Sequence, residues 1–501
     1  MRKYLSSGLL AAVLSLCVSD IAMAQDMGGQ MGGMGGDMGG MGGDMGGGGQ
    51  MGGGGHGRGG HRGQGRGGQG QQGPGQGAPR PMVAPATIPA AMRRSAVITV
   101  AGQGKALSRG SITPTKPDQS GVFAERGALL TMDGITITST LDVSLADDAH
   151  ETGLGAALII ASQTTATVTG GSISTTGRGI DGIFAADPGS KLTLKGATIS
   201  TRAAQAYGVE LAAGAVLDAD TASITTTSDH APAIAVKPGS RAKLSGGTLS
   251  TTGPSSPAIE ARGDVDAAGT AIKTAFSSGL EIDGEHTATL TRVGFDSGDR
   301  GILLYQSAPP PMQDGKVTAA SAASAPYDGP VATATLSMDG GKITSAREAF
   351  LVSNVRGVIT LHNVDIASQS GVIVKAAAAK WGPLGRNGGY ARIDAERQTL
   401  NGDLATDILS SIRLDLKDGS KFAGKTTANV DVSLDASSTW TLTADTRVGQ
   451  LIDPEGLSGD TIRNIVGNGH VLSYSQRDNP NLGGKTWQLT GGGTLAPAEG
   501  L

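Results

Sequence analysis

Between residues 130 and 370 the chain repeats one pattern of apolar and polar positions. An apolar residue is followed by four mostly small or polar residues and then by a second apolar residue, usually with Ser or Thr after it, as in LTLKGATIST. The apolar pairs are Met132/Ile137, Val168/Ile173, Leu194/Ile199, Ala219/Ile224, Leu244/Leu249, Ala267/Ile272, Leu290/Phe295, Met338/Ile343 and Leu361/Ile366. Their first members lie 36, 26, 25, 25, 23, 23, 48 and 23 residues apart, and the 48 is two steps of 24. A spacing this regular predicts a stack of similar structural units.

A second β-prone run lies between successive pairs. Examples are AYGVELA (206–212), RGILLY (300–305) and SGVIVK (370–375), each behind a glycine or another small residue. Short runs of this kind favour strands that follow turns, so each repeat holds about three strands. A repeat of 23 to 26 residues without a helix predicts a parallel β-helix, in which each coil buries its apolar residues against the next coil. At one strand spacing per coil, ~14 coils would form a rod of roughly 65 Å.

The C-terminal part of the chain keeps a strand pattern with a different spacing. SIRLDLKDGSKFAG and NVDVSLDASSTWTLTADTRV alternate apolar and polar residues, which is typical of half-buried strands. Trp440 falls on an inward position, and we expect it to plug the end of the apolar column. The segment GKTWQLTGGGTLAP (484–497) predicts a closing hairpin, because an open end of the rod would template aggregation.

The first 94 residues differ in composition from the rest. Arg2 and Lys3 precede a short apolar run, and AMA (22–24) offers a cleavage site, so residues 1–24 are expected to be a signal peptide. Residues 25–94 are rich in Gly, Met, Gln and Arg and predict a disordered low-complexity tail. Residues 95–475 would then form the β-helix and residues 476–501 a cap hairpin. Cys17 is the only cysteine and leaves with the signal, so no disulfide is expected.

The signal peptide predicts export. No later apolar run reaches the length of about 18 residues that a membrane-spanning helix needs. We therefore expect an extracellular or cell-surface protein, with the periplasm as the alternative, and no integral membrane segment in the mature chain. Nine basic residues and no acidic one lie between Asp44 and Asp118, whereas residues 118–501 carry a net charge of −11. This basic neck favours attraction to anionic surface polysaccharide or lipopolysaccharide.

The tail contains a set of thioether and imidazole groups that could bind a soft metal ion. They are Met27, Met31, Met34, Met38, Met41, Met45, Met51, His56 and His61. Thioethers are ligands for Cu(I), so copper binding in the tail is one hypothesis. The same spacing results from repeating MGG and DMGG, so a simple tether is the other, and no cofactor is expected in the body.

The body resembles the right-handed parallel β-helix of pertactin-like autotransporter passenger domains, a solenoid of the pectin-lyase-like class. The resemblance covers about residues 95–475 and is sharpest at AERQTLNGDLATD (395–407), VDVSLDASSTWTLTADTRVGQL (430–451) and IVGNGHVL (465–472). It implies a surface protein with adhesive functions. Such proteins carry a C-terminal translocator barrel, whereas this chain ends in LAPAEGL, so a passenger lacking the barrel is expected.

Parallel β-helices also include polysaccharide lyases and hydrolases, which place paired carboxylates beside a basic residue on neighbouring coils. The acidic residues here look scattered, as in Asp218/Asp220 and Asp296/Asp299, and aromatics make up only 3% of the chain. We therefore expect a non-enzymatic, adhesin-like or structural protein without catalytic residues. A carbohydrate-active enzyme and periplasmic copper binding through the tail remain the alternatives.

Two features of the body are candidates for binding a host or matrix ligand. The insertion AAAAKWGPLGRNGGY (376–390) interrupts the repeat and carries Lys380, Trp381, Arg386 and Tyr390, and long loops on a rigid scaffold often bind ligands. Arg262, Gly263 and Asp264 form an RGD tripeptide, which would act in cell binding only on an exposed, protruding loop.

Overall fold

The repeat folds into a right-handed parallel β-solenoid of about 15 turns. The computed structural model describes residues 94–144, 149, 152–307 and 332–498. No helix in these ranges is long and apolar enough to cross a membrane. The solenoid confirms the parallel β-helix predicted from the sequence.

Three sheets run along the solenoid, here called A, B and C. Sheet A has twelve strands: Ser95–Ala101, Gln119–Glu125, Leu158–Ile160, Ile183–Ala186, Val209–Ala212, Ile234–Val236, Ile259–Ala261, Leu280–Asp283, Ile302–Tyr305, Phe350–Ser353, Val372–Ala376 and Asp403–Thr406. Sheet B has twenty-two: Gly104–Ile112, Leu129–Ser139, Thr165–Thr169, Ser172–Thr175, Lys191–Lys195, Thr198–Thr201, Val216–Asp220, Ser223–Thr226, Arg241–Ser245, Thr248–Thr251, Asp264–Ala268, Ala271–Thr274, Thr287–Thr291, Gly294–Ser297, Thr333–Asp339, Lys342–Ser345, Arg356–His362, Asp365–Ser368, Tyr390–Glu396, Ser411–Lys417, Val430–Leu434 and Leu451–Ile452. Sheet C has nine: Thr399–Asn401, Lys421–Ala423, Thr439–Thr441, Thr446–Val448, Leu457–Ser458, Thr461–Val466, Val471–Tyr474, Trp487–Thr490 and Thr494–Pro497. A short 3₁₀ helix spans Pro480–Leu482.

The apolar pairs of the repeat form two columns inside the solenoid. Equivalent residues of successive coils lie directly opposite one another, as in Ile173, Ile199, Ile224 and Leu249. All members of the pairs are buried. The tight corner between the two members depends on glycine: Gly171 has a φ of 72°, and a Cβ atom there would lie 2.2 Å from the carbonyl oxygen of Ile135. The columns form because each coil is too thin to bury these side chains alone.

The Ser and Thr residues that follow the pairs fill the interior at the next corner. Thr175, Thr201 and Thr251 are buried, and each donates its hydroxyl hydrogen bond to a carbonyl oxygen five residues later, at 2.9, 2.7 and 2.6 Å. Thr226 makes the equivalent bond to Ala231. A buried hydroxyl needs such a partner, and the carbonyls of the following loop supply one in successive coils.

The position of Trp440 along the apolar column differs from the prediction that it plugs the end. Its side chain is fully buried and stacks on Phe422 at 5.6 Å between ring centroids, but Ile465 pairs with it in the following coil. Trp440 therefore lies within the column rather than at its end. Beyond it, the strands Trp487–Thr490 and Thr494–Pro497 pair in the antiparallel direction.

Candidate functional site

Sheet A carries a second row of side chains on its outer face. Residues of its strands alternate between the core and this face, so that Val209 and Leu211 are in the core while Glu210 points outward. Register aligns the outward residues of successive coils as Phe123, Ile159, Phe184, Glu210, Ala235, Glu260, Glu281, Leu303, Leu351 and Lys375. The row therefore has acidic residues in its middle, with apolar residues on both sides of them, and ends on Lys375.

This alignment corrects the expectation that the acidic residues are scattered. Glu260 and Glu281 are directly opposite each other on neighbouring coils. In the adjacent outward row, Arg262 places its Nε 3.3 Å from Glu260 Oε1 and 3.1 Å from Asp283 Oδ2. Asp283 also accepts a 2.7 Å hydrogen bond from the backbone N–H of Ser307. Carboxylates do recur at the repeat spacing here, and they have a basic partner.

Deeper in the same face, two carboxyl groups are buried against each other. Asp181 and Glu210 are 1% exposed, and each carboxyl group influences the pKa of the other. One oxygen of each, Asp181 Oδ2 and Glu210 Oε2, is buried without a hydrogen-bond donor. Burial raises the pKa of Asp181 to about 7, against a hydrogen bond from the N–H of Tyr207. Burial also raises the pKa of Glu210 well above its usual range, and Lys237, whose Nζ lies 3.9 Å from Glu210 Oε1, only partly opposes it. The two carboxyl groups thus favour sharing a proton.

The insertion 376–390 folds back over the apolar end of the outward row. Leu303, Tyr305 and Leu351 form a small cluster there, and Trp381 packs against it with its ring centroid 4.5 Å from that of Tyr305. The buried side chain of Asn387 holds the loop, since its Nδ2 donates to the carbonyl oxygens of Ala379 at 2.6 Å and of Trp381 at 2.8 Å. The loop is therefore positioned by its own hydrogen bonds as well as by its apolar contact.

Where this loop meets the acidic part of the row, it borders an open pocket of about 450 Å³, here called the Trp381 pocket. Its lining consists of Ser255, Phe276, Ser277, Ser278, Glu281, Asp299, Arg300, Leu303, Leu351, Ala379, Lys380 and Trp381. Phe276 is 66% exposed, so an aromatic ring is available to a ligand there. A cavity of this size with aromatic residues and a few convergent polar groups is typical of small-molecule sites.

The ionisable groups of the Trp381 pocket are held in different states. Burial raises the pKa of Glu281 to about 7, and the neighbouring Glu260 adds to the effect, while a hydrogen bond from Ser278 opposes it. Arg300 is fixed between Glu348 Oε1 and Asp299 Oδ2, each at 2.6 Å. Burial alone would raise the pKa of Glu348, but its hydrogen bonds, including the one from Arg300, hold that pKa below its ordinary value. One carboxyl group can therefore be neutral beside a fixed ion-pair network.

Two larger depressions lie elsewhere on the described surface. One of about 570 Å³ covers Ser, Thr and Lys side chains of sheet B, and one of about 530 Å³ lies around Ile408 and Asn429. Neither lining combines two aromatic side chains with acidic and basic residues, as that of the Trp381 pocket does. We therefore place the candidate site in the Trp381 pocket.

The structure separates the four residues predicted for the binding loop. Lys380 and Trp381 line the Trp381 pocket, and the Lys380 ammonium lies 5.2 Å from the Trp381 ring centroid. Tyr390 begins a strand of sheet B and lines the depression around Ile408 instead. Arg386 is exposed and lies outside the pocket lining.

The RGD tripeptide lies at a corner between two strands. Arg262 is engaged by Glu260 and Asp283, and Asp264 begins the strand Asp264–Ala268 and pairs with Arg241 at 2.9 Å. A Cβ atom on Gly263 would lie 2.3 Å from the carbonyl oxygen of Ser240, so the corner packs closely on the preceding coil. Its role in cell binding stays a prediction.

The methionines and histidines predicted to bind copper lie outside the described residues. Within the ranges that the structure describes, no group of three or more His, Cys, Asp or Glu residues is arranged to hold a metal ion.

The described part of the basic neck has two kinds of residue. Arg94 donates to the carbonyl oxygen of Thr152 and lies over Phe123, whereas Lys105 and Arg109 are exposed on an edge strand.

Sequence reasoning did not find Phe276, Glu281, Asp299 or Arg300. A signal was present: Glu210, Glu260 and Glu281 occupy one position of the β-prone run in VELA, IEA and LEID, where most other repeats have apolar or small residues. Scans against protein-family models, curated proteins and solved structures find no match for this chain. The fold and the pocket are therefore the basis for a functional proposal.

Proposed function

We propose that this chain is an exported, non-enzymatic β-helix protein of the bacterial cell surface or extracellular matrix, and that it acts as an adhesin by binding a saccharide in the Trp381 pocket. The observation that carries the proposal is the pocket itself. It combines Trp381 and Phe276 with the hydroxyl groups of Ser277 and Ser278 and with Glu281. Aromatic faces bind the apolar side of a sugar ring, and hydroxyl and carboxyl groups bind its hydroxyls.

The solenoid supports this role by keeping the pocket on a rigid element. The floor of the pocket consists of Leu303 and Leu351, which are paired residues of neighbouring sheet A strands. Each coil is fixed by the coils on both sides of it, so a ligand meets a preformed surface. A preformed site reduces the entropy lost on binding.

Replacing Trp381 by alanine tests the proposal. We expect the full-length variant to bind immobilised oligosaccharides and intact bacterial cells at least about tenfold more weakly, because a central aromatic contact is lost. Leu384→Ala is the matched control, since Leu384 lies in the same loop but is 99% exposed and outside the pocket.

Circular dichroism would confirm that both variants retain the solenoid. The proposal fails if the wild-type protein binds none of the arrayed saccharides. It also fails if Trp381→Ala binds them as tightly as Leu384→Ala does.

A second candidate function, the hydrolysis of a glycosidic bond, is favoured by the state of Glu281. A carboxyl group with a pKa near 7 is suited to protonate the leaving glycosidic oxygen. Asp299 lines the same pocket and would accept the proton of the attacking water, so that one water is consumed and the C–O bond is replaced by a C–OH group. Asp299 also forms ion pairs with Arg300 at 2.6 Å and with Arg347 at 3.5 Å, which fix the position of its carboxylate.

A reducing-end assay on the same saccharides decides between the two functions. If the chain is a hydrolase, Glu281→Gln should lower the rate by at least about 100-fold, since general acid catalysis contributes on that scale. Glu285→Gln, on the exposed turn after the same strand, should leave the rate unchanged. Absence of reducing-end release by the wild-type protein would leave the binding function, whereas release that Glu281→Gln abolishes would replace it.

A further inference from the structure

The two basic residues of the Trp381 pocket differ in whether their charge is already neutralised. Arg300 contacts Asp299 and Glu348 at 2.6 Å each. Lys380 makes no ion pair within 4.0 Å with any carboxylate of the described residues. Its side chain is exposed, and its ammonium group lies 5.2 Å from the centroid of the Trp381 ring. The pocket therefore has one positive charge that remains available to a ligand.

The position of Lys380 is unusual for the charge of this body. Residues 118–501 carry a net charge of −11, so the surrounding surface repels anions. In the pocket, however, the acidic groups are either protonated over part of the pH range, as Glu281 is, or bound to arginine, as Asp299 is. An anion near Lys380 would thus meet a local positive charge rather than the field of the acidic body.

We propose that the ligand of the Trp381 pocket is an acidic saccharide, whose carboxylate is bound by Lys380 and whose ring lies against Trp381. This inference rests on the proposed function that the pocket binds a saccharide. Lys380 and Trp381 are adjacent in the chain, and the Lys380 ammonium lies 5.2 Å from the centroid of the Trp381 ring. This separation suits a sugar whose carboxylate is attached directly to the sugar ring. The hydroxyls of Ser277 and Ser278 and the carboxyl group of Glu281 then face the remaining hydroxyls of the sugar.

The protonation of Glu281 supports the same ligand class. Burial and Glu260 raise the pKa of this carboxyl group, whereas Ser278, Lys380 and Arg300 lower it. The net effect is a pKa of about 7. In its neutral form Glu281 donates a hydrogen bond and does not repel a bound carboxylate. An ionised acid in the same place would cancel much of the attraction that Lys380 provides.

The test compares two probes that differ only in charge: an oligouronate tetrasaccharide and the same tetrasaccharide with its carboxyl groups reduced to alcohols. For the full-length wild-type protein, calorimetry should give about tenfold tighter binding of the oligouronate, as expected for one charge-assisted contact. Lys380→Gln should remove this preference, so that the two probes bind the variant with similar affinities. Lys105→Gln, in the exposed edge strand of the basic neck, is the matched control and should keep the preference.

The outcomes separate this inference from the proposed function. Equal affinities for the two probes, both lost in Trp381→Ala, would overturn the acidic ligand and leave the pocket as a saccharide site. A preference that Lys105→Gln removes and Lys380→Gln keeps would move the anion to the basic neck and also overturn the inference. If Trp381→Ala binds both probes as the wild type does, the proposed function fails as well.

Discussion

Replacing Trp440 by alanine is expected to lower the free energy of unfolding by about 3–5 kcal/mol, the cost of truncating a fully buried aromatic side chain. The indole is 0% exposed, stacks on Phe422, and donates a 3.0 Å hydrogen bond from Nε1 to the carbonyl oxygen of Gly424. Alanine would leave a cavity between the coils of Phe422 and Ile465 and a buried carbonyl without this donor. Urea denaturation followed by circular dichroism measures the loss.

The loss should be local, because each coil of a solenoid contacts only its neighbours. Hydrogen exchange should therefore accelerate most in the sheet C strands on either side of Trp440, namely Lys421–Ala423 and Thr461–Val466. Strands of sheet A near residue 209 should keep their protection. Faster exchange spread evenly along the chain would contradict this expectation.

Two further variants separate the effect of the cavity from that of a lost aromatic ring. Trp440→Phe keeps most of the buried volume and should cost less than alanine does. Phe276→Ala removes a ring that is 66% exposed and should change the free energy of unfolding by no more than about 0.5 kcal/mol. Equal losses in Trp440→Ala and Phe276→Ala would mean that the apolar column is not what stabilises this region.

The second large effect is a fall in stability as the pH rises, caused by the buried pair Asp181 and Glu210. Burial raises the pKa of Asp181 from 3.8 to about 7 and that of Glu210 well above 4.5. The folded state therefore binds protons that the unfolded state has already released above about pH 4. The stability that the pair contributes is complete below that pH and is lost as the pH rises through the folded-state pKa values, at about 7 for Asp181.

The double variant Asp181→Asn/Glu210→Gln isolates this contribution. The amides keep the shape of the side chains but do not ionise, so the free energy of unfolding should fall less steeply between about pH 4 and pH 8. Each unit of pKa difference is worth about 1.4 kcal/mol, so the variant should become more stable than the wild type at the upper end of this range. Urea midpoints at several pH values provide the measurement.

The free energy of unfolding of the double variant should still fall with rising pH, because two other carboxyl groups have raised pKa values. Burial also raises the pKa of Glu281 to about 7 and that of Asp453 to about 6, and both act in the same direction. Glu285→Gln, an exposed position, makes one of the same charge changes and should leave the wild-type slope intact. Parallel curves for wild type and double variant would show that Asp181 and Glu210 do not hold an extra proton in the folded state.

The solenoid was predictable because its determinants are local and repeated. The pairs Leu194/Ile199 and Leu244/Leu249 recur at nearly constant spacing, and that spacing alone brings each side chain over its equivalent in the next coil. The alternation of apolar and polar residues around Trp440 correctly predicted that its side chain faces inward. This local pattern carries no information on how far Trp440 lies from the end of the column. That depended on how many later strands stack beyond it, and those strands follow no clear repeat.

The site was predictable only in part. Trp381 and Lys380 were found because they interrupt the repeat, but Arg386 and Tyr390 of the same insertion lie elsewhere, since Asn387 and the close approach of Gly389 to Val352 turn the chain away between them. Glu281 comes from a coil about a hundred residues before the insertion. Nothing in its local sequence indicates that Trp381 will cover it.

The periodic apolar pattern was sufficient to specify the repeat, the parallel β-helix and the inward-facing columns, because burial of such a pattern has one efficient solution. Which outward residues meet depended on contacts between distant parts of the folded chain. The register of sheet A aligned Glu260 with Glu281, and the fold of one insertion placed Trp381 and Lys380 beside Glu281. These contacts join distant parts of the chain, and the shifted pKa of Glu281 exists only in the environment that they create.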